Sequence, residues 1–161
     1  MLYDNNHLVS IGTEGFFDGN SSMPYAENHG SNTNTVCALA AIDMCSAHLY
    51  PKYFKDEPDQ KSIETLLSQW QSISDSLRKP LYIGEVGYEI ITKKSKTNLE
   101  KREEFFRIVG NTFRRKRISG AFIWNISIKT DDHFSLSFED PADKKILMQW
   151  IGKPAQTENK K

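Results

Sequence analysis

The run Lys79-Pro80-Leu81-Tyr82-Ile83-Gly84-Glu85-Val86-Gly87-Tyr88 constrains the fold of this chain more than any other stretch. Proline cannot join a strand ladder, so Pro80 punctuates just before one. Leu81 to Ile83 are apolar and β-favouring, the pattern of a strand buried on both faces. Glu85 arrives where that strand gives way to a glycine-flexed loop. In a barrel of parallel strands, the C-terminal strand ends carry the chemistry. Glu85 therefore has two readings, a functional carboxylate or a surface residue after a strand, and this run alone does not separate them.

Three other stretches share the form. His7-Leu8-Val9-Ser10-Ile11-Gly12 leads into Thr13-Glu14-Gly15-Phe16-Phe17. Ala40-Ala41-Ile42-Asp43-Met44-Cys45-Ser46-Ala47 leads into His48-Leu49-Tyr50-Pro51. Gly120-Ala121-Phe122-Ile123-Trp124-Asn125 leads into a polar segment with Asp131 and Asp132. Each run is short and ends in polar or aromatic residues. The first two starts lie about 34 residues apart and the later ones about 39, within reach of a strand–helix unit. Four such units predict parallel α/β structure, with strands near 8–12, 41–47, 81–85 and 120–125.

Between the strands, Ile63, Leu66, Leu67, Trp70 and Ile73 recur at helical spacing after Asp56-Glu57-Pro58-Asp59 and predict a helix buried against a sheet. Asn98 is placed to cap the next helix, with Glu100, Glu103 and Glu104 near its start and Phe105, Phe106, Val109 and Phe113 as its apolar face. Pro141 to Trp150 reads as a last helix with Ile146, Leu147 and Trp150 on one side. Residues 18–36 form a polar, Gly/Asn/Ser-rich loop, and loops of that length are functional or disordered. Its Asn20-Ser21-Ser22 sequon has meaning only in a secreted protein. Residues 1–151 thus read as one domain and residues 152–161 as a polar tail that should fray.

With 161 residues, 38% of them hydrophobic, the chain can bury one sizeable core. No apolar run approaches the ~18 residues needed to cross a bilayer, and the first residues lack the basic and apolar regions of a signal peptide. Cys37 and Cys45 do not have a zinc or redox spacing, and Cys45 is expected as a free thiol filling a buried strand. The net charge of zero divides unevenly, with ten acidic and five basic residues in 1–80 against eleven and sixteen in 81–161. Lys93-Lys94-Ser95-Lys96 and Arg114-Arg115-Lys116-Arg117 carry much of the basic excess. No aromatic residues interleave with them as a nucleic-acid stacking platform requires. They are expected on the outer face and C-terminal end of a surface helix.

With those four strand ends in view, the sequence resembles the second half of a family five glycoside hydrolase, and within that family the endo-β-1,4-mannanases. The blocks that carry the resemblance are HLVSIGTEGFF, IDMCSAHLYP, KPLYIGEVGY and GAFIWNISIKTDDHFSLSFEDP, in the family's order, over about residues 5 to 151. The pair AHLYP and KPLYIGEVGY is specific at its spacing. The resemblance implies a (β/α)8 TIM barrel, of which these would be strands five to eight with outer helices on a parallel sheet. It implies a retaining mechanism on a β-linked polysaccharide, with no metal or cofactor. Glu85 matches the family's catalytic nucleophile. His48 and Tyr50 match the pair after strand six, in which the tyrosine supports the nucleophile and the histidine lines the site. Trp124 matches the aromatic platform after strand eight, and Glu14 a cleft position after strand five.

The chemistry suits these residue types. A retaining glycosidase needs two carboxyl groups about 5–5.5 Å apart, one a nucleophile and one an acid/base. A tyrosine hydroxyl beside the nucleophile helps hold it ionised. An indole suits the C–H face of a sugar. Other readings stay open: Tyr50 as an interface aromatic with a wet hydroxyl, Trp124 as barrel core. Asp43 is expected within its strand and is a poor acid/base candidate.

The departure from the family is large. Its acid/base Glu in an Asn-Glu-Pro-type motif, an Arg after strand two and an early His are absent. Glu14, two strands from Glu85, is expected beyond the retaining distance. The chain is therefore expected to be half a barrel: a truncated product, an incomplete gene model or one piece of a split protein, inactive alone. A half-barrel has two sheet edges and an exposed apolar face. Its expected partners are a β-linked polysaccharide or oligosaccharide and a separate N-terminal half-barrel or a second copy, with no nucleic acid and no membrane. Two alternatives to the enzyme stand, a carbohydrate-binding remnant using Trp124 and Tyr50, and a half-barrel interaction module. The sequence does not separate mannan from cellulose or xylan, or fix the compartment. A full-length relative of this family would be secreted.

Overall fold

The computed structural model describes residues 6–17, 25, 32–90, 96–116, 118–128 and 133–151. Its elements in chain order are α1 (Thr33–Cys37), β1 (Cys45–Leu49), a 3-10 turn (Pro51–Tyr53), α2 (Gln60–Leu77), β2 (Leu81–Val86), α3 (Lys96–Lys116), β3 (Gly120–Ile123) and α4 (Pro141–Ile151). The three strands form one parallel sheet in the order β1-β2-β3. Parallel neighbours need a crossover, and α2 and α3 supply the two.

The core follows the apolar periods. Cys45, Ala47 and Leu49 of β1 and Leu81, Ile83 and Val86 of β2 are buried. They belong to one core with Ile63, Leu66, Leu67 and Trp70 of α2, Phe105, Phe106, Val109 and Phe113 of α3, and Ile146 and Leu147 of α4. Asp59 caps α2, its carboxylate accepting the Ser62 N–H at 2.7 Å, and Arg78 ends that helix in a left-handed turn. Arg114, Arg115 and Lys116 occupy the last turn of α3, where cations complement the helix dipole. The opposite sheet face is open where Phe122 of β3 stands 63% exposed. No helix among the described residues is long and apolar enough to cross a membrane.

Four expectations are corrected. The segment at 8–12 forms no regular strand and makes only the isolated parallel bridge Ser10↔Met44. The Asp43 carboxylate takes the Val9 N–H at 2.8 Å, while the Asp43 N–H goes to the Val9 carbonyl at 2.8 Å. A side chain thus replaces a ladder rung, and β1 starts only at Cys45. Asn98 is no cap, because α3 is already helical at Lys96. Residues 18–36 are not all loop, since Asn32 caps the short α1. Cys37 and Cys45 form a disulfide with a Cα–Cα distance of 5.3 Å, inside the range a disulfide spans. The sequon, Asp131, Asp132, Lys93 to Ser95, Arg117 and the tail lie outside the described residues.

Candidate functional site

The sheet brings Glu14, His48, Tyr50 and Glu85 together at the C-terminal ends of its strands. Glu85 gets there through an irregularity in β2. Ala47 of β1 pairs with Ile83, but the next residue, His48, pairs with Glu85. On the other side Ile83 pairs with Ala121 and Val86 with Ile123. β2 thus carries one residue more than either neighbour, a bulge at Gly84–Glu85. Strict alternation from Leu81 and Ile83 would send Glu85 under the helices. The bulge gives that slot to Val86, which is buried, and sets Glu85 beside His48. Glycine suits position 84, since a Cβ there would press on its neighbours, 3.0 Å from His48 Nε2 and 3.1 Å from Ser46 Oγ.

The Tyr50 hydroxyl donates a short hydrogen bond to Glu85 Oε2. Gly87 permits this, because a Cβ there would collide with the Tyr50 ring and lie 3.0 Å from the Trp124 carbonyl. His48 Nδ1 lies 3.4 Å from Glu85 Oε2 and 3.3 Å from Glu14 Oε1. Glu14 lies on the segment beside β1 and Glu85 on β2, and His48 between those segments reaches both. The chain before Glu14 tracks β1 through Thr13 Oγ1 to the Ser46 carbonyl at 2.9 Å and the His48 N–H to the Glu14 carbonyl at 3.2 Å. Both carboxylates consequently reach the same imidazole nitrogen.

Trp124 follows β3, its N–H donating to the Val86 carbonyl at 2.8 Å, with the residue 46% exposed rather than packed in a core. Tyr50 is buried and its hydroxyl is occupied by Glu85, so its wet-hydroxyl reading does not hold. Burial, and then the hydrogen bond to Glu85, push the Tyr50 phenol well above its ordinary pKa, so it is a donor at any working pH. Among the described residues, Glu85 Oε1 has no donor, and its side chain is 27% exposed. One oxygen is held and, among the described residues, the other takes no donor, as a carboxylate that attacks or takes a proton requires.

Beside this group a cavity of about 330 Å³ is lined by Tyr50, Phe54, Glu57, Tyr88 and Phe134 among others. Phe134 meets the Tyr50 ring edge-on at 5.6 Å, and the Tyr88 hydroxyl donates to Glu57 Oε1 at 2.8 Å. Sequence reasoning missed Tyr88, Glu57, Phe134 and Tyr25, whose hydroxyl contacts the Tyr50 backbone. A glycine inside the β2 strand pattern was a legible signal for the bulge. No cluster of His, Cys, Asp and Glu that can hold a metal occurs among the described residues.

No family model matches the chain. Its sequence is 28% identical over 162 residues to mannan endo-1,4-beta-mannosidase 4 of Solanum lycopersicum, covering 90% of this chain and 40% of that protein. It is 35% identical over 96 residues to mannan endo-1,4-beta-mannosidase 3 of Arabidopsis thaliana, covering 52% of this chain and 23% of that one. Its fold matches the endo-1,4-beta-mannanase of Rhizomucor miehei with a TM-score of 0.69 at 26% identity, over 89% of this chain and 39% of that one. It matches the endo-beta-1,4-mannanase of Thermotoga petrophila with a TM-score of 0.73 at 20% identity, over 91% and 36%. The chain thus spans less than half the length of the relatives it matches. Parallel strands, outer helices and these likenesses together show the fold of a partial α/β barrel, similar over most of this chain to part of the endo-1,4-β-mannanases.

Proposed function

We propose that this chain is the nucleophile-bearing part of a retaining glycoside hydrolase acting on a β-linked polysaccharide, with β-1,4-mannan as substrate. The observation that supports this best is the Tyr50 hydroxyl held on Glu85 at the end of the central strand. In this reading Glu85 attacks the anomeric carbon and forms a glycosyl ester, which water then hydrolyses. Tyr50 orients the carboxylate through the hydrogen bond to Oε2. His48 and Glu14 bond sugar hydroxyls, and Trp124 offers its indole to the sugar face. In this reading Glu14 is not the acid, because its Oε1 lies 3.3 Å from His48 Nδ1 and is engaged there. The acid/base comes from the remainder of the barrel, in a longer chain or in a separate half that covers the open face at Phe122. The 161-residue chain alone therefore turns over mannan negligibly.

The test removes the need for the acid. In 2,4-dinitrophenyl 2-deoxy-2-fluoro-β-mannobioside the leaving dinitrophenolate departs unprotonated, so the C1–O bond breaks as the carboxylate forms its ester. The expected result is a single adduct that peptide mass mapping places on Glu85. A label elsewhere, or none, overturns the proposal. A binding-only role, favoured by the exposure of Trp124, gives affinity for mannohexaose with no label.

A further inference from the structure

We infer that Tyr25, ahead of α1 in the chain, is a positioning residue for Tyr50 and, through it, for Glu85; this rests on the nucleophile reading of Glu85. Tyr50 is the first residue past β1 and has left the ladder, although it is buried. A buried backbone N–H and carbonyl outside a ladder need other partners. One phenol touches both: the Tyr25 hydroxyl accepts the Tyr50 N–H at 2.7 Å and donates to the Tyr50 carbonyl at 3.4 Å, which also takes the Tyr53 N–H at 3.3 Å. The link from Tyr25 to Glu85 is then two hydrogen-bonded steps, Tyr25 to the Tyr50 backbone and the Tyr50 side chain to the carboxylate.

Tyr25 is itself firmly seated. It is 1% exposed, with its ring centroid 4.9 Å from Tyr53, 5.2 Å from Trp70 and 5.6 Å from Phe16. Its carbonyl accepts the Phe17 N–H at 2.8 Å. Its backbone φ of 65° lies in the left-handed region, uncommon for a bulky residue and tolerated where surroundings enforce it. Burial raises its phenol pKa well above the ordinary value, so the hydroxyl remains both donor and acceptor. A phenylalanine would fill the same aromatic cage. Only the hydroxyl reaches the Tyr50 backbone, so ring packing and positioning separate experimentally.

The test uses the whole chain labelled at the tyrosine ¹³Cζ, with the Tyr50 resonance assigned through Tyr50→Phe. Tyr50, which interacts with Glu85, Glu14, Tyr25 and Lys52, titrates in the wild type well above the ordinary phenol value. In Tyr25→Phe the Tyr50 phenol titrates closer to that ordinary value of about 10. The rate of Glu85 labelling by the fluoromannobioside falls by up to about tenfold, the size of one lost neutral hydrogen bond. Tyr25→4-aminophenylalanine, which keeps a donor and acceptor at the para position, restores most of both. A Tyr25→Phe variant that melts normally, titrates at Tyr50 as the wild type does and labels at the same rate overturns the inference. Should that variant not fold, amide exchange of the wild type decides, since a rapidly exchanging Tyr50 N–H contradicts the clamp. If wild-type Glu85 takes no label, the nucleophile reading fails while titration and exchange still decide the role of Tyr25.

Discussion

Two carboxylates in this molecule meet strong donors and are treated in opposite ways. Asp143, in the first turn of α4, is 1% exposed and paired with Arg102 of α3, itself 2% exposed. Its second oxygen accepts the Ser137 N–H at 3.1 Å, and Arg102 also reaches the Ser135 carbonyl at 3.4 Å. Burial pulls the Arg102 pKa down and the Asp143 charge opposes that. Glu85 has a neutral phenol as its donor, a histidine near by, and one oxygen to spare. Pairing of both Asp143 oxygens lets that charge be buried and joins α3 to α4 and the segment before it, although Arg102 Nε has no partner among the described residues. Partial pairing with solvent access leaves a charge available for chemistry. The difference assigns one carboxylate to the scaffold and the other to the site.

The contrast is sharpest under substitution. Glu85→Gln should abolish labelling by the activated fluoromannobioside, on the order of a thousandfold or more, and shift stability by no more than about 0.5 kcal/mol. Asp143→Asn should do the reverse. It leaves Arg102 as a buried charge without its counter-ion, at a cost of about 3–5 kcal/mol in urea unfolding. The comparison breaks if Asp143→Asn is silent in urea or if Glu85→Gln unfolds the chain.

The scaffold side of that contrast was partly legible in the sequence and the site side differently so. Ile63, Leu66, Leu67 and Trp70 announce α2 because a 3.6-residue period is a local property. Leu81 to Ile83 announce β2 for the same kind of reason. The bulge at Gly84 was harder to read, because it is fixed by how β2 meets β1 and β3 across the sheet. The segment at 8–12 reads as a strand but has only Asp43 and a single bridge to hold it, which pattern alone does not show. Arg102–Asp143 joins residues far apart in sequence; the helical period puts Arg102 on the face of Phe106 and Val109, but an arginine seldom goes inside unless paired, and its partner is not visible in the period. Residue types at the rim, a Glu after a strand and a His-x-Tyr after another, were visible. Their mutual contacts, and the reach of Glu14 to His48, belong to the tertiary fold.

The disulfide extends the contrast to a covalent tie on the scaffold side. It links the end of α1 to the first residue of β1, at the strand end opposite Glu85. The closed loop is short, with a sequence separation of 8, so the chain-entropy gain is about 2–3 kcal/mol. Replacing both cysteines by serine should lower stability by about that amount in denaturant unfolding. Labelling of Glu85 by the intact fold should be unchanged. A drop in labelling out of proportion to unfolding would show that the rim and the base of the sheet are coupled.

The smallest effect tests whether a tyrosine on a glutamate is enough to make a site. Tyr88 and Glu57 repeat the Tyr50–Glu85 pairing at the neighbouring cavity, but Lys101 Nζ also lies 3.1 Å from Glu57 Oε2, so both of its oxygens are taken. By the logic of Asp143 this pair is structural. Tyr88→Phe should cost about 0.5–1.5 kcal/mol at neutral pH, the net value of one hydrogen bond, and leave Glu85 labelling intact. Its alkaline signature is more distinctive. Burial, and then Glu57, raise the Tyr88 phenol, and burial is also the largest cause of the upward shifts at Tyr50 and Tyr25. A phenol raised in the folded state contributes stability that is fully present below its unfolded pKa, about 10. That contribution is lost as pH rises toward the folded value, because the unfolded chain ionises first. Stability should therefore fall above about pH 10, by up to about 1.4 kcal/mol per pH unit for each such tyrosine. Tyr88→Phe removes one of these contributions and should make the alkaline fall shallower, read from urea midpoints across that range. An unchanged slope would mean that Tyr88 ionises alike in the folded and unfolded chain, and a loss of labelling would place Glu57 inside the reacting site.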